Sequence, residues 1–326
     1  MSPNFDELCL SLGLSTDTIT PKSLTILEQW CHQFVSSDQV YLGSLEEQYS
    51  DYSLLAIQYL DFMSKKPQDI NSALKVNGMS VIQFAAYKGY NHFLASLKVP
   101  KAVWNETNTE GFTPLHLAAL QGYVHTVETL LAQGASHEQA NNNKQLPVFS
   151  ALFVVALYAD NQEYLNRKEK IAHVLMQLKP DVLNHQDNEG TTVLHLMATN
   201  GFTNLVKELL GRKELIALAT TADAAGVYPI HMAVLNQHLE TVRLLLTIKG
   251  QAELKDSQGQ VALHHAAQFG TLDMLRACAE ATSDINIRDR NEQTPLMLAA
   301  EAGKQTSVIY LIKERGADVT NASICF

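Results

Sequence analysis

Gly111-Phe112-Thr113-Pro114-Leu115-His116-Leu117-Ala118-Ala119 is the stretch from which the rest of the chain can be read. Thr113 can cap a helix through its hydroxyl. Pro114 then stands at the first helical position, where its missing N–H costs nothing. Leu115, Ala118 and Ala119 predict a thin apolar face, and Gly122 can take the left-handed conformation that ends the helix. A helix of roughly ten residues cannot hold its shape or bury its face alone. The stretch therefore needs neighbours of its own kind.

Those neighbours are present in worn or intact form. Gly78 opens Gly-Met-Ser-Val-Ile-Gln-Phe-Ala-Ala, 33 residues before Gly111, and Lys144 opens Lys-Gln-Leu-Pro-Val-Phe-Ser-Ala-Leu 33 residues after it. Further openings fall at Gly190, Gly226, Gly259 and Glu292, after 46, 36, 33 and 33 residues. An apolar pair follows many openings by about twenty residues, as at Leu130-Leu131, Leu209-Leu210, Leu245-Leu246 and Leu311-Ile312, with valine or leucine at helical spacing before it. Each unit thus reads as helix, tight turn, longer helix and extended loop. Asn108, Asp187, Asp223, Asp256 and Asp289 stand in those loops just ahead of the next opening.

The period of 33 and the Thr-Pro-Leu-His-x-Ala-Ala core, with its Leu-Leu and Gly-Ala continuation, resemble ankyrin repeats over roughly residues 70–323. The resemblance implies an all-α solenoid of about seven helix-turn-helix units. Helix pairs would stack side by side, with fingers projecting at right angles and the fingers and first helices on a concave side. The repeats are assigned to 75–326. Residues 1–74 are expected to be an N-terminal helical cap, since a repeat array exposes apolar surface at its ends.

The unit opened by Lys144 departs from the pattern. It has Phe149 where others have histidine, and it is about 13 residues too long, with the surplus around 155–167. Its first helix is expected to continue through Phe153 to Tyr158 and its second to start near Tyr164. The surplus reads either as a neutral surface insertion, because loops tolerate length cheaply, or as a protruding contact element.

Composition narrows the function. The chain has 326 residues, 46% hydrophobic and 18% charged, with a net charge of −10. An acidic protein repels phosphate backbones, so nucleic acid is not an expected partner. Four unpaired cysteines point to a reducing compartment, and the N-terminus lacks a basic signal region, so a cytoplasmic setting is expected. The longest apolar run, Val148 to Ala159, is too short to span a bilayer, and no membrane insertion is expected.

Catalytic chemistry is not indicated. His116, His195, His231 and His264 recur at one repeat position and read as structural, bonding threonine hydroxyls or loop backbone. Adjacent repeats would set them roughly 10 Å apart, too far to share a zinc whose bonds are about 2 Å. His265 reads as a solvent or groove neighbour. Cys31-His32 points two ways from one helix and offers no nucleophile pair. Phosphate-binding glycine loops and hydrolase motifs are absent from the sequence. No catalytic, cofactor-binding or metal residue is therefore expected, and the chain reads as a non-enzyme.

Function is expected instead at the positions stacking leaves free, the finger tips and the ends of the first helices. Tyr87, Phe112, Leu120, Gln121, Phe153, Val227, Leu235, Asn236 and Phe269 are the candidate partner-binding residues. Apolar side chains at solvated positions suggest a protein-binding surface. The expected function is a monomeric scaffold or adaptor gripping a protein partner through the concave face. The double change Phe112→Ala with Leu120→Ala is expected to abolish capture without altering the fold. The degenerate repeats also resemble ankyrin effectors of intracellular bacteria such as Legionella, which implies secretion into a host cytosol. The alternative is an enzymatic or modifying N-terminal region whose substrate the repeats recruit.

Overall fold

The computed structural model describes residues 79–97, 99–179 and 183–319. The expected cap at 1–74, the opening Gly78 and the C-terminal residues 320–326 lie outside these. Fourteen α-helices occur among the described residues. They pair as α1 (Val81–Lys88) with α2 (Asn91–Ser96), α3 (Pro114–Gln121) with α4 (Val124–Ala132), and α5 (Pro147–Leu152) with α6 (Gln162–Leu178). The series continues as α7 (Val193–Asn200) with α8 (Thr203–Leu210), α9 (Pro229–Leu235) with α10 (Leu239–Leu246), α11 (Ala262–Gln268) with α12 (Leu272–Ala281), and α13 (Pro295–Glu301) with α14 (Gln305–Lys313).

The odd-numbered helices stack on one another in chain order from α1 to α13. Alanine makes this possible: Ala85, Ala118, Ala119, Ala151, Ala198, Ala233, Ala266 and Ala299 are fully buried between neighbouring backbones. The even-numbered helices form the second layer and supply bulk, with Leu130, Ile171, Val206, Leu209, Val242, Leu245, Leu275 and Leu311 in one continuous core. The helix starts follow the expected chemistry. Thr113 Oγ1 accepts from His116 N, Pro114 occupies the first turn, and Gly122 closes the helix at φ 81°.

The histidine row bonds as the sequence implies. His116 Nδ1 accepts from the Thr113 N–H at 3.2 Å, so its Nε2 carries the proton and donates to Gln145 O at 2.9 Å in the next unit. His195, His231 and His264 reach Val227 O, Leu254 O and Gln293 O in the same way. Gln83 takes this role in the first unit, accepting from Ser80 N and donating to Glu106 O. The unit that has Phe149 instead recruits His185, whose ring meets Phe149 edge-on at 6.1 Å and whose Nε2 donates to Lys144 O.

The loop acids have a structural task that their spacing does not disclose. Asp187 Oδ1 accepts the N–H groups of Glu189 and Thr191, both at 2.9 Å. Asn108, Asn141, Asp223, Asp256 and Asp289 repeat the pattern on residues two and four further on. A side-chain oxygen that satisfies two backbone donors fixes a tight finger loop. Neighbouring fingers are then joined by backbone bonds, such as Asn142 N to Glu110 O and Asn188 N to Asn143 O.

The insertion differs from expectation. Helix α5 stops at Leu152 instead of continuing to Tyr158. Residues 153–155 are extended, Ala156–Tyr158 form one 3-10 turn, and α6 begins at Gln162, capped by Asn161, and runs 17 residues. The β-branched pair Val154-Val155 favours extended backbone over continued helix.

Candidate protein-binding surface

Each odd-numbered helix ends at an equivalent place, so stacking sets these ends in a row. The row begins with Tyr87 in α1, continues through Leu120-Gln121 in α3, Phe153 after α5 and Leu235-Asn236 at α9, and reaches Phe269 after α11. Exposure divides the candidates. Phe153, Leu235 and Phe269 are 54%, 40% and 51% exposed, and Asn236 is exposed with its amide returned to Met232 O. Tyr87, Leu120 and Gln121 are half-buried.

Phe112 and Val227 are finger residues, and both are half-buried. Phe112 sits edge-on to the buried His116 ring at 5.7 Å, and the Val227 carbonyl receives His195 Nε2. Replacing Phe112 therefore touches the packing of a structural histidine, and the Phe112→Ala test is not neutral to the fold. Leu120 is half-buried as well, and its carbonyl accepts from Lys168 Nζ and Tyr164 Oη.

The insertion after α5 is the most open apolar element among the described residues. Leu157 is 82% exposed, and Phe153 and Val155 accompany it. Its signal in the sequence is the apolar run Val148 to Ala159. Tyr158 folds back on Tyr164, with ring centroids 5.2 Å apart, and joins the exposed loop to the array.

Beneath this loop lies Lys168, fully buried on α6. Its Nζ donates to Ala119 O and Leu120 O at 2.9 Å and to Ser150 O at 2.6 Å. These carbonyls belong to the last turns of α3 and α5, where helix acceptors lack intrahelical partners and the dipoles end negative. One ammonium thus caps two helices. Burial pushes its pKa down to about 7. No sequence rule announces it, because Lys168 looks like one charge on an amphipathic helix.

The histidine row is neutral at physiological pH. Burial drives His116 and His231 down to about 4 and lowers His195 and His264 as well. His265 is not the solvent or groove neighbour expected. It is buried, and its Nε2 lies 2.9 Å from Asp256 Oδ2. Among the described residues no helix is long and apolar enough to cross a membrane.

Comparison with known proteins agrees with this architecture. The family model for ankyrin repeats matches in three copies, over residues 50–145, 162–256 and 230–323. The first match starts inside the segment expected to be the cap. The chain is 28% identical over 135 residues to the probable 26S proteasome regulatory subunit p28 of Saccharomyces cerevisiae, covering 41% of this chain and 59% of that protein. It is 31% identical over 165 residues to human BCL-6 corepressor-like protein 1, covering 48% of this chain and 9% of that one. It is 29% identical over 135 residues to the mouse nuclear factor NF-kappa-B p105 subunit, covering 40% and 14%. The chain thus spans less than two thirds of each of these relatives. The matched segments, the period of 33 and the stacked capped helices make one conclusion: the chain belongs to the ankyrin-repeat family.

Proposed function

We propose that the array is a non-catalytic scaffold that grips a protein partner along the row of odd-numbered helix ends, with the 153–157 loop as its main anchor. The observation that carries this reading is the exposure of Phe153 and Leu157 on a segment with its own aromatic brace. Solvating large apolar side chains is unfavourable, and such anchors dominate binding energy when a partner desolvates them. Leu235 and Phe269 extend the surface along the row. The mechanism is docking on a preformed face, because the helix ends are held by stacking and by Lys168.

The test is affinity capture from cell lysate with the full chain and a Phe153→Ser/Leu157→Ser variant. Loss of specific partners with unchanged melting supports the reading. Capture that survives these changes and Leu235→Ser/Phe269→Ser refutes it. The proposed setting is the cytosol. Delivery into a host cell is tested with a translocation reporter on the full chain, and absence of transfer removes the effector role while leaving the docking mechanism intact.

A further inference from the structure

The seam between the units opened by Gly226 and Gly259 holds a cluster that the repeat pattern does not require. His231 belongs to the structural row. His265 stands one residue past that row and turns back toward it, with ring centroids 5.2 Å apart and planes tilted by 52°. Asp256, from the intervening finger, completes the group. One potential ligand atom from each side chain lies within 4.8 Å of the others, and all three residues are buried. Histidines in the row itself stand too far apart to share an ion; His265 removes that obstacle by reaching the neighbouring unit's histidine.

The donors suit a borderline metal. Zinc is bound by imidazole nitrogen and carboxylate oxygen at about 2.0–2.2 Å, which sets tetrahedral ligand atoms roughly 3.3 Å apart. The present spacing reaches that with small side-chain shifts. Asp256 Oδ1 is already anchored by the N–H groups of Gln258 and Gln260, so the carboxylate is oriented before any ion arrives. His265 Nδ1 is buried without a hydrogen-bond partner, so the ring has unused polar capacity. His231 holds Leu254 O through Nε2 and the Tyr228 N–H through Nδ1, and coordination exchanges one of these bonds for the metal.

We infer that His231, Asp256 and His265 form a zinc-binding site, with water as the fourth ligand, that ties the two units together. Since the site is closed, the ion enters when the seam opens locally, and bound metal then holds it shut.

The experiment uses the full chain stripped with chelator and dialysed. Zinc is titrated by calorimetry and melting is followed in parallel. Cobalt(II) serves as a spectroscopic probe of a low-coordinate nitrogen–oxygen site. The key variant is His265→Gln, which retains an N–H donor for Asp256 but removes the imidazole. Asp256→Asn, which keeps the oxygen that locks the finger, is the second. Expected are one zinc per wild-type chain, a rise in melting temperature, visible cobalt absorption, and at least tenfold weaker binding in both variants. No zinc binding by wild type, or binding by both variants as tight as that of wild type, overturns the assignment. If one variant fails to fold, the other together with the wild-type titration decides.

Discussion

Lys168→Met isolates the interaction that joins the insertion to the array. The methionine keeps the buried aliphatic bulk but removes all three donors. Ala119 O keeps a bond from Gly122 N, and Leu120 O keeps Tyr164 Oη, whereas Ser150 O loses the Lys168 ammonium. An orphaned buried carbonyl costs about 1–3 kcal/mol, with further loss from the other two bonds. The burial of charge works in the opposite direction. Lys168 has a folded pKa of about 7 against the ordinary lysine value of 10.5. Between these values the unfolded chain binds the extra proton, so wild-type stability rises with pH through that window. The slope reaches about 1.4 kcal/mol per pH unit, and the total about 5 kcal/mol, if desolvation acts alone. The three carbonyl acceptors favour the ammonium and reduce that total. The predicted signature is a difference: wild type minus Lys168→Met grows from pH 7 to 9.5, is flat below pH 7, and favours wild type by about 2–4 kcal/mol at the upper end. Urea unfolding by far-UV circular dichroism gives the difference, and hydrogen exchange at α3, α5 and α6 localises it. A gap that does not change with pH, or that closes as pH rises, refutes the lowered pKa of Lys168.

Three further outcomes follow from the same geometry. Since burial lowers His116 and His231 to about 4, their contribution is complete above pH 6.5 and is lost as pH falls toward 4, by about 3 kcal/mol each. Melting temperature should therefore drop across that interval, and His116→Gln, which copies the bonding of Gln83, should flatten the drop; an equally steep profile in the variant counts against this. Gly111→Ala places a Cβ 2.5 Å from Asn142 N at a φ of 83°, so it should destabilise the fold by about 2 kcal/mol in urea melts. Lys144→Gly should do the reverse, stabilising by about 1 kcal/mol, because Lys144 holds the equivalent opening position at φ 58° without a glycine's freedom; a destabilised variant would show that the lysine side chain supplies more than strain removes.

Much of the architecture was legible because repeat proteins write local rules many times over. Thr113, Pro114, His116 and Gly122 each specify a feature within four or five residues of themselves, and seven copies in register make the reading secure. The finger acids were visible as a pattern, yet their role as two-donor acceptors emerged only from the loop backbone. The positions proposed for docking were legible in outline. Phe153, Leu235 and Phe269 are exposed as expected, but Phe112 leans on His116, a contact between a finger and a helix start that spacing alone does not reveal.

The sequence by itself determined the fold class, the period and the helix ends, because capping, turn chemistry and apolar periodicity are local and act wherever the residues occur. Only the tertiary structure decided what the irregular residues do. Lys168 meets carbonyls 18 and 48 or 49 residues away, and His265 meets a histidine 34 positions earlier. Such partners are chosen by how one unit sits against the next, and a repeat pattern states that units stack without stating which side chains the stacking encloses.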